Sequence, residues 1–72
     1  MSKELDFYKH IFNSNNIRLT TRRIMIIKIF LNHKNDHLTA NEIYYLVKKI
    51  CPSIGLATVY RTIQTLLKLD LL

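Results

Sequence analysis

The turn Pro52-Ser53-Ile54-Gly55 constrains this chain most, because a segment patterned as an amphipathic helix stands on each side of it. The upstream segment opens on Thr39-Ala40-Asn41-Glu42. That is a capping box: the threonine hydroxyl accepts from the Glu42 N–H, and the Glu42 carboxylate reaches back to the Thr39 N–H. Leu38 before the cap and Ile43 after it are placed to form a hydrophobic staple. Ile43, Leu46, Val47 and Ile50 follow at helical spacing. Lys48 and Lys49 fall in the last turn, where the helix dipole favours cations. Pro52 stops the helix, because it has no N–H to give and its ring clashes with the preceding turn. The downstream helix runs from about Leu56 to Leu69, and Asp70-Leu71-Leu72 leaves it toward a strand. Two helices joined by so short a turn form the helix-turn-helix pattern.

Two further helices precede this pair. One spans about Glu4 to Phe12, with Leu5, Tyr8, Ile11 and Phe12 on one stripe, and Asn13-Ser14-Asn15-Asn16 breaks it. The other is capped by Thr20 and reaches about Asn32. Ile24, Ile27 and Leu31 make its stripe, and Met25, Ile26, Ile29 and Phe30 widen it. A helix apolar over so much of its circumference belongs in the centre, with neighbours on several sides. The residues His33 to His37 form a loop. One Gly and one Pro in 72 residues leave little turn chemistry for a sheet. The expected fold is all-α, four helices in one domain over residues 1–72.

Charge narrows the class of partner. The net charge is +6, and all of the excess lies from Arg18 onward, since the first 17 residues are neutral. A basic half points toward a polyanion, although basic surfaces also serve solubility alone. The longest apolar run, Ile24 to Ile27, ends at Lys28 and falls far short of the ~20 residues of a membrane span. The N-terminus Met1-Ser2-Lys3-Glu4 lacks the apolar core of a signal peptide, so a cytoplasmic location is expected. A single cysteine, Cys51, excludes an internal disulfide and a cysteine-rich zinc site, and reads as a small buried apolar residue. With no nucleophile–base pair, no paired carboxylates and no glycine-rich phosphate loop, the chain does not read as an enzyme.

On a helical wheel Leu56, Val59, Ile63, Leu66 and Leu67 cluster within about 100° and form the buried face of the last helix. Ala57, Thr58, Arg61, Thr65 and Lys68 lie opposite, with Gln64 beside them and Arg61 nearest the outward pole. Any surface helix turns polar residues outward, but most mix glutamate with lysine. This face has no acid. Arginine can donate two hydrogen bonds to a guanine edge, threonine and alanine fit thymine methyls, glutamine pairs with adenine, and lysine suits a phosphate. Tyr60 sits at the edge of the stripe. Spacing leaves it between a ring packed in the core, which it favours, and a ring against a base.

Three blocks carry a family resemblance: Leu19-Thr20-Thr21-Arg22-Arg23, His37-Leu38-Thr39-Ala40-Asn41-Glu42-Ile43-Tyr44 and Ile54-Gly55-Leu56-Ala57-Thr58-Val59-Tyr60-Arg61. Together they resemble the ferric uptake regulator family over nearly all of the chain. The resemblance implies a winged-helix DNA-binding domain, with its two-stranded wing and a metal-binding dimerisation domain expected beyond Leu72. It implies a metal-dependent repressor of iron, zinc or peroxide-response genes that binds AT-rich palindromic operators as a homodimer. Residue by residue, it assigns Tyr60 and Arg61 to the bases, Ala57 and Thr58 to the helix entry near the DNA, and Arg18 to the minor groove. A narrow AT-rich minor groove concentrates negative potential that attracts arginine. Arg22 and Arg23 join Lys68 as phosphate contacts, with a structural pairing as the other role for Arg23. His37 matches a histidine that supplies a metal ligand between the two domains. Its co-ligands lie outside this chain, so no cofactor is expected here, and a divalent metal, iron or zinc, is expected in an intact regulator. Arg61 after Tyr60 leans toward iron-type members. The alternative is a helical module that packs on a partner protein without touching DNA.

Overall fold

The computed structural model describes residues 3–71. These hold α1 (Lys3–Ser14), α2 (Thr21–Asn32), α3 (Ala40–Ile50) and α4 (Leu56–Lys68). No strand is found among the described residues. The all-α expectation therefore stands. The predicted exit of residues 70–72 toward a strand ends on Leu72, which lies outside the described residues, as do Met1 and Ser2 of the expected domain.

Both predicted caps form. The Thr20 hydroxyl accepts from the Arg23 N–H at 3.3 Å. The Thr39 hydroxyl accepts from the Glu42 N–H at 3.2 Å, and the Glu42 carboxylate takes the Thr39 N–H at 2.8 Å. Leu38 and Ile43 meet in one cluster, as a staple requires. α1 runs past its expected end at Phe12 and closes at Ser14. The asparagines act one turn later than their composition implied. Asn16 takes the left-handed conformation at φ 57°, and the Ile17 N–H returns to the Phe12 carbonyl at 2.9 Å. α4 closes by the same device: Asp70 has φ 58° and the Leu71 N–H reaches the Leu66 carbonyl at 2.8 Å. Each is a Schellman closure, with asparagine or aspartate in the place that glycine usually takes. Ile17 and Leu71, the residues after these turns, pack into the same apolar cluster.

α2 packs against each of the other three helices, as its apolar girth predicts. Its neighbours Ile26 and Ile27 are both fully buried but serve different clusters. Ile27 joins Leu5, Tyr8 and Phe12 of α1 and Leu66 of α4. Ile26 joins Ile43 and Val47 of α3, Ile54 of the turn and Val59 of α4. Ile50, expected in the α3 stripe, is 59% exposed. It lies in the last turn, where the chain is already leaving toward Pro52. The α2–α3 loop is tied in its first half: Lys34 pairs with Glu4 of α1, and His33 Nδ1 lies 2.8 Å from an Asp36 carboxylate oxygen. No helix among the described residues is long and apolar enough to cross a membrane.

Candidate nucleic-acid interface

α4 presents its outer face about 60° away from where the wheel placed it. The buried line is Val59, Thr62 and Leu66, with Ile63 half-buried beside it. Leu56 and Leu67, expected in the core, are 37% and 56% exposed. The reason is Thr62. Its hydroxyl donates to the Thr58 carbonyl at 2.8 Å, inside its own helix. With its polar atom satisfied locally, Thr62 packs as an apolar side chain and draws the buried face toward itself. Ala57, Tyr60, Arg61, Gln64 and Lys68 are all exposed. Thr58 and Thr65, expected outward, are half-buried at its margin, and the Thr65 hydroxyl donates to the Arg61 carbonyl at 2.9 Å. Tyr60 is 44% exposed, so its ring is not a core ring as spacing favoured. Gln64 stands near the outward pole and belongs with the candidate residues. Counting threonine as polar when finding the stripe is what set Gln64 beside that face instead of at its centre.

The start of α4 is open. Gly55 caps it without a side-chain bond, and neither α4 nor α2 has an acid in its first turn. Beside Thr58 lies a depression lined by Arg18, Arg22, Arg23, Thr20 and Cys51. Its parts come from four places: the α1–α2 loop, the start of α2, the end of α3 and the start of α4. Two hydrogen bonds order its arginines. The Arg23 guanidinium donates to the Arg18 carbonyl at 2.7 Å, and Arg22 donates to the Ser53 hydroxyl at 3.4 Å. Arg23 thus makes the structural pairing that was one of its two expected roles. Cys51 is half-buried rather than a core residue, with its Sγ 3.6 Å from the Ser53 Oγ. The Ser53 hydroxyl, and Arg22 beside it, hold the Cys51 thiol below its usual range.

His37 stands apart from all of these. It is exposed at φ 50° in the α2–α3 loop, around a shallow pocket with Phe30, His33, Lys34 and Leu38. His33 is engaged with Asp36. Among the described residues no group of three His, Cys, Asp or Glu side chains could hold a metal ion.

The sequence pattern of the ferric uptake regulator family matches residues 14–72, which takes in α2, α3, α4 and the arginine-lined depression. The chain belongs to the ferric uptake regulator family. Among its relatives in this family is the ferric uptake regulation protein of Bacillus subtilis (strain 168), 41% identical over 69 residues, covering 96% of this chain and 46% of the relative. The ferric uptake regulation protein of Synechocystis sp. is 33% identical over 73 residues, covering all of this chain and 44% of the relative. The peroxide-responsive repressor PerR of Staphylococcus saprophyticus is 34% identical over 71 residues, covering 89% of this chain and 47% of the relative. No solved structure matches the chain. It spans a little under half the length of these family members. The family match begins at the last residue of α1, so α1 lies almost wholly outside it.

Proposed function

We propose that this chain is the DNA-binding part of a metal-responsive transcriptional repressor, with α4 laid in the major groove. One observation carries the reading: the exposed face of α4 offers Ala57, Tyr60, Arg61, Gln64 and Lys68 and no carboxylate, next to a depression lined by three arginines. Arg61 and Gln64 are long donors suited to guanine and adenine edges. Tyr60 and Thr58 complete the base contacts. Lys68 and Arg22 take phosphates, Arg23 holds the Arg18 backbone, and Arg18 reaches the minor groove of an AT-rich operator. A homodimer and a divalent metal, iron or zinc, belong to the intact regulator, which acts in the cytoplasm. Relatives named ferric uptake regulation protein and peroxide-responsive repressor support this reading.

The test compares two substitutions on a duplex selected from a random pool and on unselected duplex. Arg61→Ala is expected to cost about 1–3 kcal/mol on the selected site and to relax preference at one base pair. Lys68→Ala is expected to weaken both duplexes alike. An equal loss on both duplexes for Arg61→Ala removes the base-reading role. The second reading, a protein-interaction module, draws on the exposed Leu67 of the same face and on the exposed Tyr45 and Ile50 of α3. A duplex that leaves the amide spectrum unmoved at low salt favours that reading.

A further inference from the structure

We propose that the cavity where α2, α3 and α4 meet is a binding site for a small uncharged apolar molecule, about the size of one aromatic ring. Such a site does not depend on DNA binding: a chain that leaves every duplex free can still hold the ring.

The cavity holds about 110 Å³. Its floor is Ile26 of α2, Ile43 of α3 and Leu66 of α4, which are 0%, 4% and 1% exposed. Phe30, Leu38, Ala40 and Ile63 complete the wall and are half-buried, so the cavity opens to the surface between them. No side chain in this wall carries a polar atom. A held water needs about two to four polar partners, so the wall favours an apolar guest over water.

The position in the fold explains why space is left here. Ile26 and Ile43 belong to one apolar cluster and Leu66 to the other. The cavity lies at their junction. Wall atoms with nothing facing them forgo dispersion contacts that close packing supplies elsewhere. A guest restores those contacts to three helices at once.

Size and charge set the class of guest. Cavities of about 150 Å³ walled by leucine, isoleucine and phenylalanine take up benzene. This one is smaller but open on one side, so a single ring fits with one edge toward solvent. The Phe30 ring in the wall suits an aromatic guest, which it meets edge to face or offset. Phe30 and Leu38 also line the shallow pocket of His33, Lys34 and His37. There Lys34 is paired with Glu4 and His33 with Asp36. A carboxylate on the guest would find these partners taken, so a neutral molecule is the better fit.

The experiment adds benzene to the intact 72-residue chain and follows it by NMR. Saturable shifts are expected at the methyl groups of Ile26, Ile43, Ile63 and Leu66. Nuclear Overhauser contacts are expected from the benzene protons to the same methyls. The thermal midpoint is expected to rise with benzene concentration, as for any ligand that binds only the folded chain. Ala40→Leu puts a larger side chain into the wall and is expected to remove both shifts and contacts. Benzoate at the same concentration is expected to produce neither. Absence of contacts to these methyls in the unmodified chain overturns the site, and that result does not require the variant to fold. Shifts that never saturate and appear equally at Leu5 overturn it as well, because they report partition into apolar surface in general. An Ala40→Leu chain that melts normally and keeps the contacts places the ring elsewhere and overturns the site. Benzoate that binds as well as benzene overturns the assignment to an uncharged guest.

Discussion

The Arg23 guanidinium donates to the backbone carbonyl of Arg18 at 2.7 Å, so one basic side chain fixes the peptide that carries another. Arg18 is itself exposed, in the loop between α1 and α2. A long side chain on a loose loop would lose entropy on entering a groove, and a pinned loop loses less. Arg23→Ala is therefore expected to weaken duplex binding largely through Arg18. In a double-mutant cycle read by anisotropy, the Arg23→Ala penalty should shrink sharply in an Arg18→Ala background. Penalties that simply add would make Arg23 an independent phosphate contact.

Gly55 offers a test that separates stability from binding. It caps α4 at φ −98° with nothing within 4 Å of where a Cβ would stand. Gly55→Ser adds a capping hydroxyl and should raise stability by a few tenths of a kcal/mol at about unchanged affinity. Gly55→Asp should stabilise as well, by about 0.3–1 kcal/mol from the helix dipole. It also sets a carboxylate at the entry of the reading helix, so its duplex affinity should fall. Thermal melts and anisotropy on the same samples check this, and undiminished affinity of Gly55→Asp would place the DNA away from the start of α4.

The orientation of α4 predicts opposite outcomes for adjacent leucines. Leu66 is 1% exposed and Leu67 56%. Leu66→Ala is expected to cost about 2–5 kcal/mol, enough to unfold much of a small domain. Leu67→Gln is expected to stay within about 0.5 kcal/mol. Urea unfolding midpoints decide between this arrangement and the wheel's, in which both leucines are core.

Alkaline pH should loosen the packing of α1. The Tyr8 hydroxyl donates to the Leu71 carbonyl at 3.0 Å, and burial raises its pKa above the usual value. A raised folded-state pKa means that the protonated form, here the neutral phenol, is the stabilised one. The contribution is complete below the unfolded value, near about 10, and is lost as pH climbs through the folded value. Lys34 has the same sign, its pKa raised chiefly by the hydrogen bond to Glu4. Tyr8→Phe should cost about 1 kcal/mol at neutral pH and make the decline above about pH 10 shallower. Stability curves at pH 7 and 11, read by circular dichroism, test this; an identical decline in both proteins assigns it to other groups.

Much of this architecture is legible in the sequence because it is local. The Thr39–Glu42 box, the Thr20 cap and the break at Pro52 each depend on residues within one turn, and all appear as expected. The central position of α2 follows from its girth. What could not be read depends on partners distant in sequence or on a polar atom satisfied out of sight. Thr62 counts as polar in a pattern and as apolar in the core, which turned α4 and moved Gln64 from the margin of the outer face to its centre. The Arg22–Ser53 contact spans 31 residues, and no periodicity announces it. Cys51 reads as a core residue until the arginines beside it are placed.

The adjacent isoleucines of α2 have a consequence for how the molecule comes apart. Ile27 faces a cluster to which α1 gives Leu5, Tyr8 and Phe12, whereas Ile26 faces one built from α3, the turn and α4. Such a division allows α1 to detach as a sub-global opening while α3 and the first half of α4 keep their own core. Amide exchange should then show two tiers of protection, with α1 releasing its hydrogens before the backbone around Ile43, Val47 and Val59. The more persistent tier lies within the family-matched span, so a transient loss of α1 would leave the core beneath the start of α4 in place.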